Sequence, residues 1–136
     1  MTDPFAPERE ALAAIAAAAH AQREALSHAS VEAFEAAAAR TLDAVSELDR
    51  RRRERVLRTA RTDAPAATAS QRTALETAAR DARNACDALE GALEHAVTLG
   101  RDLVGAWRRL SAPQTAHVYT ARGAVGSPIG RGTVLA

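Results

Sequence analysis

Aromatic residues are scarce in this chain: two Phe, one Trp and one Tyr make up 3% of its 136 residues. A thick core with a deep pocket is hard to build from that set. Its one cysteine, Cys86, excludes an internal disulfide and weakly favours a reducing compartment. No apolar run approaches the ~20 residues that span a bilayer. With 18 basic and 17 acidic residues, the charge balance produces no global field towards nucleic acid or a membrane surface.

What the chain has instead is alanine, at 36 positions, and all its basic residues are Arg. Alanine is the best helix former, and Leu, Arg and Glu follow closely. Alanine buries little area but lets helices approach closely. The composition therefore predicts an all-α protein built by thin helix-on-helix packing.

A heptad pattern dominates the second half of the chain. Steps of four and three residues from Leu75 meet only apolar or small residues, with charged residues between them: Ala79, Ala82, Cys86, Leu89, Leu93, Ala96, Gly100, Leu103, Trp107 and Leu110. A period of 3.5 residues keeps one apolar seam on one side of a helix, and another helix must cover that seam. The pattern predicts a helical coil whose role is binding rather than catalysis.

The local signals predict three long helices in an elongated antiparallel bundle or coiled-coil hairpin, at about 7–27, 31–61 and 68–111. A change in apolar phase near 27–30, with Ser30 as an N-cap, separates the first two, and one continuous helix is the alternative. The first apolar stripe is Leu12, Ile15, Ala19 and Leu26, and the second is Val31, Phe34, Ala38, Val45 and Leu48. Thr68 and Gln71 have capping-box spacing.

Pro113 is expected to end the third helix. We therefore expect a helical domain over 1–111 and a flexible tail over 112–136, with Leu75, Leu89, Leu93, Leu103 and Trp107 buried.

No set of residues indicates catalysis. The four histidines lack a second His or Cys at metal-ligand spacing, and Cys86 lies on the apolar seam. We expect no enzyme activity, cofactor, metal or small-molecule ligand.

The arginine run at 50–53, 55, 58 and 61 has two interpretations. It can contact a phosphate backbone. Alternatively, its positive charge is favoured by the negative C-terminal end of the helix dipole and pairs with Glu47, Asp49 and Glu54.

The order of parts resembles the FlgN family of flagellar type III export chaperones. In the first half, the segment Arg23-Glu24-Ala25-Leu26 and the apolar positions that follow match the family's spacing of apolar and charged residues. Arg40 lies near the position where the family usually has Lys. In the later helix, Asn84 and Asp87 stand where the family often has two Asn, which is a departure. The tail has Tyr119 and Gly123 at the family's spacing.

This resemblance implies a cytoplasmic chaperone that binds hook-associated (hook–filament junction) proteins and delivers them to the export gate. The implied partners are those proteins and the gate's cytoplasmic domain, and the chain would be a monomer or weak homodimer without nucleic acid or membrane insertion. The expected partner-binding residues lie on the apolar seam and in the tail: Leu89, Leu93, Leu103, Trp107, Val118, Tyr119 and Ile129. Tyr119 would contact the gate.

Two other functions compete with this one. A self-assembling structural coiled coil would use the same seam to close a dimer. A nucleic-acid-binding regulator would use the arginine run, although no aromatic residue lies near that run to stack on bases.

Overall fold

The computed structural model describes residues 3–62 and 66–120, with side chains described as far as Ser111. These residues form three helices: α1 (Ala6–Ser27), α2 (Val31–Arg61) and α3 (Ala69–Thr120). Within the described ranges there is no strand, so the predicted all-α helical bundle is confirmed. The chain divides into two compact units, Met1–Glu94 and a second that begins at His95. This division falls inside α3.

The break between α1 and α2 is confirmed, and its chemistry is local. The Ala29 amide donates to the Leu26 carbonyl at 3.1 Å and the Ser30 amide to the Ala25 carbonyl at 2.9 Å. This pair of bonds is the Schellman arrangement that closes a helix C-terminus. Ala29 takes the left-handed position with φ 53°, where glycine is usual. Ser30 then caps α2 by accepting from the Ala33 amide at 3.2 Å.

The capping box at the start of α3 is also confirmed. Gln71 Oε1 accepts from the Thr68 amide at 2.9 Å, and Thr68 Oγ1 accepts from the Gln71 amide at 3.1 Å. The predicted end of α3 near Ser111 is wrong, because the helix continues past Pro113 to Thr120. A proline removes one hydrogen bond of the ladder, which bends or weakens a helix without always ending it.

The core of the first unit is thin and rich in alanine. Leu12 and Ile15 of α1 pack with Ala44 of α2 and Ala82 of α3. Partly buried residues surround this cluster: Leu48, Leu75, Ala78 and Ala79. Contacts between α1 and α2 join opposite ends of the two sequences, since residue 8 meets 55 and residue 22 meets 41, so these helices are antiparallel.

The buried face of α3 is rotated from the predicted seam. If Leu75 is heptad position d and Ala79 is a, the fully buried residues are Ala82 at d and Ala85 at g. Cys86, at a, is exposed, and Leu75, Leu89 and Leu93 are half-buried. The period was right and the phase was wrong, because alanines recur at g on the side that meets the other helices: Ala78, Ala85 and Ala92.

Two further predictions of burial are wrong. Leu103 and Trp107 are each 70% exposed. On α2, Val31 and Val45 are exposed, while Ala37 and Ala44 are buried. Alanine and not valine lies where α2 packs against its neighbours, because the smaller side chain lets the helices approach more closely.

Candidate protein-binding interface

The part of α3 in the second unit carries a wide band of exposed apolar side chains. Leu103 and Trp107 are 70% exposed and Leu110 is 75% exposed, with Val97, Leu99 and Val104 about half exposed. We call the band the α3 apolar face and define it by nine residues: Ala96, Val97, Leu99, Gly100, Leu103, Val104, Ala106, Trp107 and Leu110. Among the described residues, this is the densest run of exposed large apolar side chains on one helix.

The heptad pattern explains why this face is wide. Over 96–110, apolar or small residues fill positions a, d, e and g, while the remaining positions hold Thr98, Arg101, Asp102, Gly105, Arg108 and Arg109. Earlier in α3 the e positions are charged, at Glu76, Arg83 and Glu90. A two-stranded coil needs apolar residues only at a and d, and usually places charges at e and g. The α3 apolar face is therefore broader than a simple two-stranded seam requires.

The size of the face also points to a partner. Its exposed fractions amount to on the order of 600 Å² of apolar side-chain surface. The largest apolar patch of a typical monomer is about 300–600 Å² and often has a function. Trp107 stands among these residues, and tryptophan is the side chain that most often anchors a protein interface.

A second apolar surface lies within the first unit, between α1 and α3. It is an open groove of about 610 Å³ lined mostly by alanine. The lining residues are Leu12, Ala13, Ala16, Ala17, Ala78 and Ala85, together with the polar residues His20, Asp81 and Asn84. The groove exists because the small side chains leave the space between the two helices unfilled. The groove holds no anchor residue of the size of Trp107.

The arginine run binds the chain's own carboxylates. Arg50 contacts Glu47 at 2.6 Å and Glu54 at 2.6 Å, and Arg51 contacts Glu47 at 2.9 Å. Hydrogen bonds from Arg50 and then Arg51 lower the pKa of Glu47 to about 2, from an ordinary value of 4.5. These contacts lie at the i,i+3 and i,i+4 spacings that the sequence indicated.

The same run also joins α2 to α1. Arg51 Nη1 donates to Glu10 Oε1 at 2.7 Å and to the Pro7 carbonyl at 2.9 Å. Arg55 pairs with Glu8, which is only 2% exposed. Because so much of the run's charge is engaged within the chain, the structure favours its structural role over a phosphate-binding one.

The predicted partner-binding residues fall into three groups. Leu103 and Trp107 lie together on the α3 apolar face, whereas Leu89 and Leu93 lie half-buried in the first unit. Val118 and Tyr119 lie in the helical backbone of α3 but beyond the described side chains, and Ile129 lies outside the described residues. Sequence reasoning missed Val97, Leu99, Val104 and Leu110 as site residues. The signal was present for all four, because Leu110 is a d position of the predicted seam and the other three are apolar e and g positions.

The described residues hold no group of three or more His, Cys, Asp or Glu placed to bind a metal ion. None of the helices, over the part of the chain described, is both long and apolar enough to cross a bilayer. Comparison of the chain with protein-family models, with curated proteins and with solved structures finds no match. The function of the chain is therefore inferred from the geometry of its own surfaces.

Proposed function

We propose that this chain is a cytoplasmic export chaperone that binds hook-associated proteins and delivers them to the flagellar type III export gate. The observation that supports the binding role is the α3 apolar face, where Leu103, Trp107 and Leu110 are 70–75% exposed on a regular helix. The resemblance of the sequence to the FlgN family supplies the identity of the cargo and of the gate.

The mechanism is docking of a cargo helix against the α3 apolar face. Leu99, Leu103, Trp107 and Leu110 follow one another at i, i+4, i+8 and i+11, which places them along one side of α3. An amphipathic helix at a terminus of the cargo can lay its own apolar side along this row. The row shields the cargo's apolar residues, which would otherwise aggregate before export. The apolar e and g positions widen the contact, so that the face can accept two cargo helices or one helix in a close packing.

The expected affinity suits a chaperone that must release its cargo. Burying about 600 Å² on the chaperone contributes about 15 kcal/mol before costs, at ~25 cal/mol per Å². Association costs about 4–15 kcal/mol, so the net binding free energy is at most about 11 kcal/mol and the Kd is no tighter than about 10 nM. In this proposal Tyr119 contacts the export gate, a role that follows from the resemblance.

The competing structural coiled coil relies on the same exposed face, and it predicts that the chain binds only itself. The nucleic-acid regulator has less support, because Arg50, Arg51, Arg53 and Arg55 all contact carboxylates of the chain.

A matched pair of substitutions tests the proposal. Leu103→Asp places a charge in the middle of the face, and Leu42→Asp makes the same change on α2, where Leu42 is also 70% exposed. We expect Leu103→Asp to abolish calorimetric binding to purified hook-associated proteins while Leu42→Asp binds like the parent chain. Circular dichroism should show equal helicity in all three. Equal binding by both variants would refute the proposed site, and no binding by the parent chain would refute the function.

A further inference from the structure

We propose that a second copy of this chain covers the α3 apolar face when cargo is absent, with the two α3 segments antiparallel. Pairing itself requires nothing from the proposed function. The competition between a second copy and cargo does rest on it.

The seam residues of the face are small at its start, at Ala96 and Gly100, and large at its end, at Leu103, Trp107 and Leu110, which fits an antiparallel partner. In an antiparallel pair, each a position lies opposite a d position of the other helix. One register sets Gly100 opposite Leu103 and Trp107 opposite Ala96. Leu103 and Trp107 then each meet a small residue, which is the complementarity that close-packed interfaces need, while Leu110 lies opposite Leu93 of the other copy. The same register brings Val97 next to Val104 of the other copy.

A parallel pair in register lacks this fit. It would stack Trp107 on Trp107 and set Gly100 opposite Gly100, so that one layer is overfilled and another is empty. Both errors reduce packing energy, because overpacking and voids each destabilise a core. The residue sizes therefore select the antiparallel orientation.

Gly100 supplies an independent argument. A Cβ placed on Gly100 would meet nothing within 4 Å in its own chain, so nothing within the described chain requires a glycine there. Glycine is less favourable than alanine inside a helix. On the α3 apolar face, a glycine lets a partner helix approach closely, since the distance between helix axes depends on the side chains at the contact. Gly91 also meets nothing within 4 Å, but it lies at f, outside this face. Close approach also brings the apolar e and g residues into the interface.

The area fits a reversible pair. Two copies that each bury about 600 Å² give an interface of about 1,200 Å², at the lower end of the range for specific complexes. A pair of this size can form at micromolar concentration and yet yield to a cargo helix that covers the same face. Self-pairing would then keep the face from aggregating between rounds of export.

Sedimentation of the full chain across a micromolar concentration series tests the pairing, with Gly100→Ala and Gly105→Ala as matched variants. Both changes should raise helix propensity equally, but Gly105 lies at f, outside the face. We expect a monomer–dimer equilibrium that Gly100→Ala weakens about tenfold and Gly105→Ala changes less than twofold. An interface of this size should pair well below about 100 μM. A chain that stays monomeric at that concentration would overturn the proposal, as would equal effects of the two variants.

Disulfide cross-linking tests the orientation. In a Cys86→Ser background, we expect oxidised dimers from an equimolar mixture of Val97→Cys and Val104→Cys chains and few from either variant alone. Cross-links from one variant alone would overturn the antiparallel register. Addition of a hook-associated protein then separates the two proposals: dissociation of the dimer supports both, whereas a dimer that persists without bound cargo contradicts the proposed function and leaves self-pairing standing.

Discussion

Replacing Arg55 by Met should be among the most destabilising single changes at the junction of α1 and α2. Glu8 lies in the first turn of α1, is 2% exposed and is ion-paired with Arg55. The next cation is Arg52, whose Nε lies 3.9 Å from Glu8 Oε2. Without Arg55, a buried carboxylate keeps only this more distant partner. Removing one partner of a buried ion pair costs about 3–5 kcal/mol, and Arg52 together with the positive end of α1 reduces the expected cost to about 3 kcal/mol.

A smaller part of the loss comes from Phe5. The Arg55 guanidinium lies 4.9 Å from the centre of the Phe5 ring, a cation–π contact that contributes about 0.5–1 kcal/mol. Methionine retains most of the apolar stem of arginine, so the change mainly removes charge and hydrogen bonds rather than volume.

The reciprocal change should cost less. Glu8→Gln keeps the shape of the side chain and removes the buried charge, and Arg55, whose side chain is 26% exposed, can turn towards water. We expect a loss of about 1 kcal/mol. The control is Arg53→Met, which breaks an exposed pair with Asp49 and should change stability by less than about 0.5 kcal/mol.

Urea unfolding followed by circular dichroism measures all three. Equal losses for Arg55→Met and Glu8→Gln, or a loss below about 1 kcal/mol for Arg55→Met, would show that the burial of Glu8 does not set the cost of losing its partner.

Four smaller effects follow from the structure. Ala29→Gly should raise stability by about 0.5–1 kcal/mol, because glycine adopts the φ of 53° without strain, and a lower melting temperature would contradict this. Ser30→Ala should cost about 1 kcal/mol by removing the cap of α2, measured by urea unfolding. Thr41→Val should cost about 1–2 kcal/mol, since Thr41 Oγ1 donates to the buried Gln22 at 2.8 Å, with Leu42→Asp as an exposed control. The lowered pKa of Glu47, about 2 against 4.5, contributes stability above pH 4.5 that is lost as pH falls towards 2, and Glu47→Gln should flatten the acid side of the stability profile.

The helix boundaries that sequence predicted correctly are those set by local chemistry. Ser30 caps α2 and Thr68 with Gln71 caps α3, and each bond joins residues three apart. Such contacts can be recognised from spacing alone. The end of α3 was missed because it was inferred from Pro113, and a proline does not prevent the helix from continuing on both sides.

The buried faces were harder to predict because hydrophobic size was the criterion. In a helix pair rich in alanine, the contact goes to Ala37 and Ala44, and the larger Val31 and Val45 remain exposed. A heptad count gives the period of a face but not which neighbouring position turns inward when both hold small residues. That is why Ala85 is buried and Cys86 is exposed.

The pairing of the arginine run shows the limit of spacing rules. The contacts of Arg50 with Glu47 and Glu54 were foreseeable, because they lie within one helix turn. The contacts of Arg51 with Glu10 and of Arg55 with Glu8 join residues more than forty apart and depend on how α1 and α2 pack. The exposure of Leu103 and Trp107 is of the same kind, since a heptad predicts an apolar face but not whether the chain itself covers it.

Fluorescence of Trp107 is a direct probe of cargo binding at the α3 apolar face, because Trp107 is the only tryptophan of the chain and lies within that face. The titrant is a terminal helical segment of a hook-associated protein that contains no tryptophan, added to the full chain at a concentration where it is monomeric. We expect a saturable blue shift of the emission, because a side chain that is 70% exposed becomes buried. The shift should be lost in Leu103→Asp but not in Leu42→Asp. Saturable binding of the segment, measured by calorimetry, with no change in Trp107 emission would contradict cargo binding at this face.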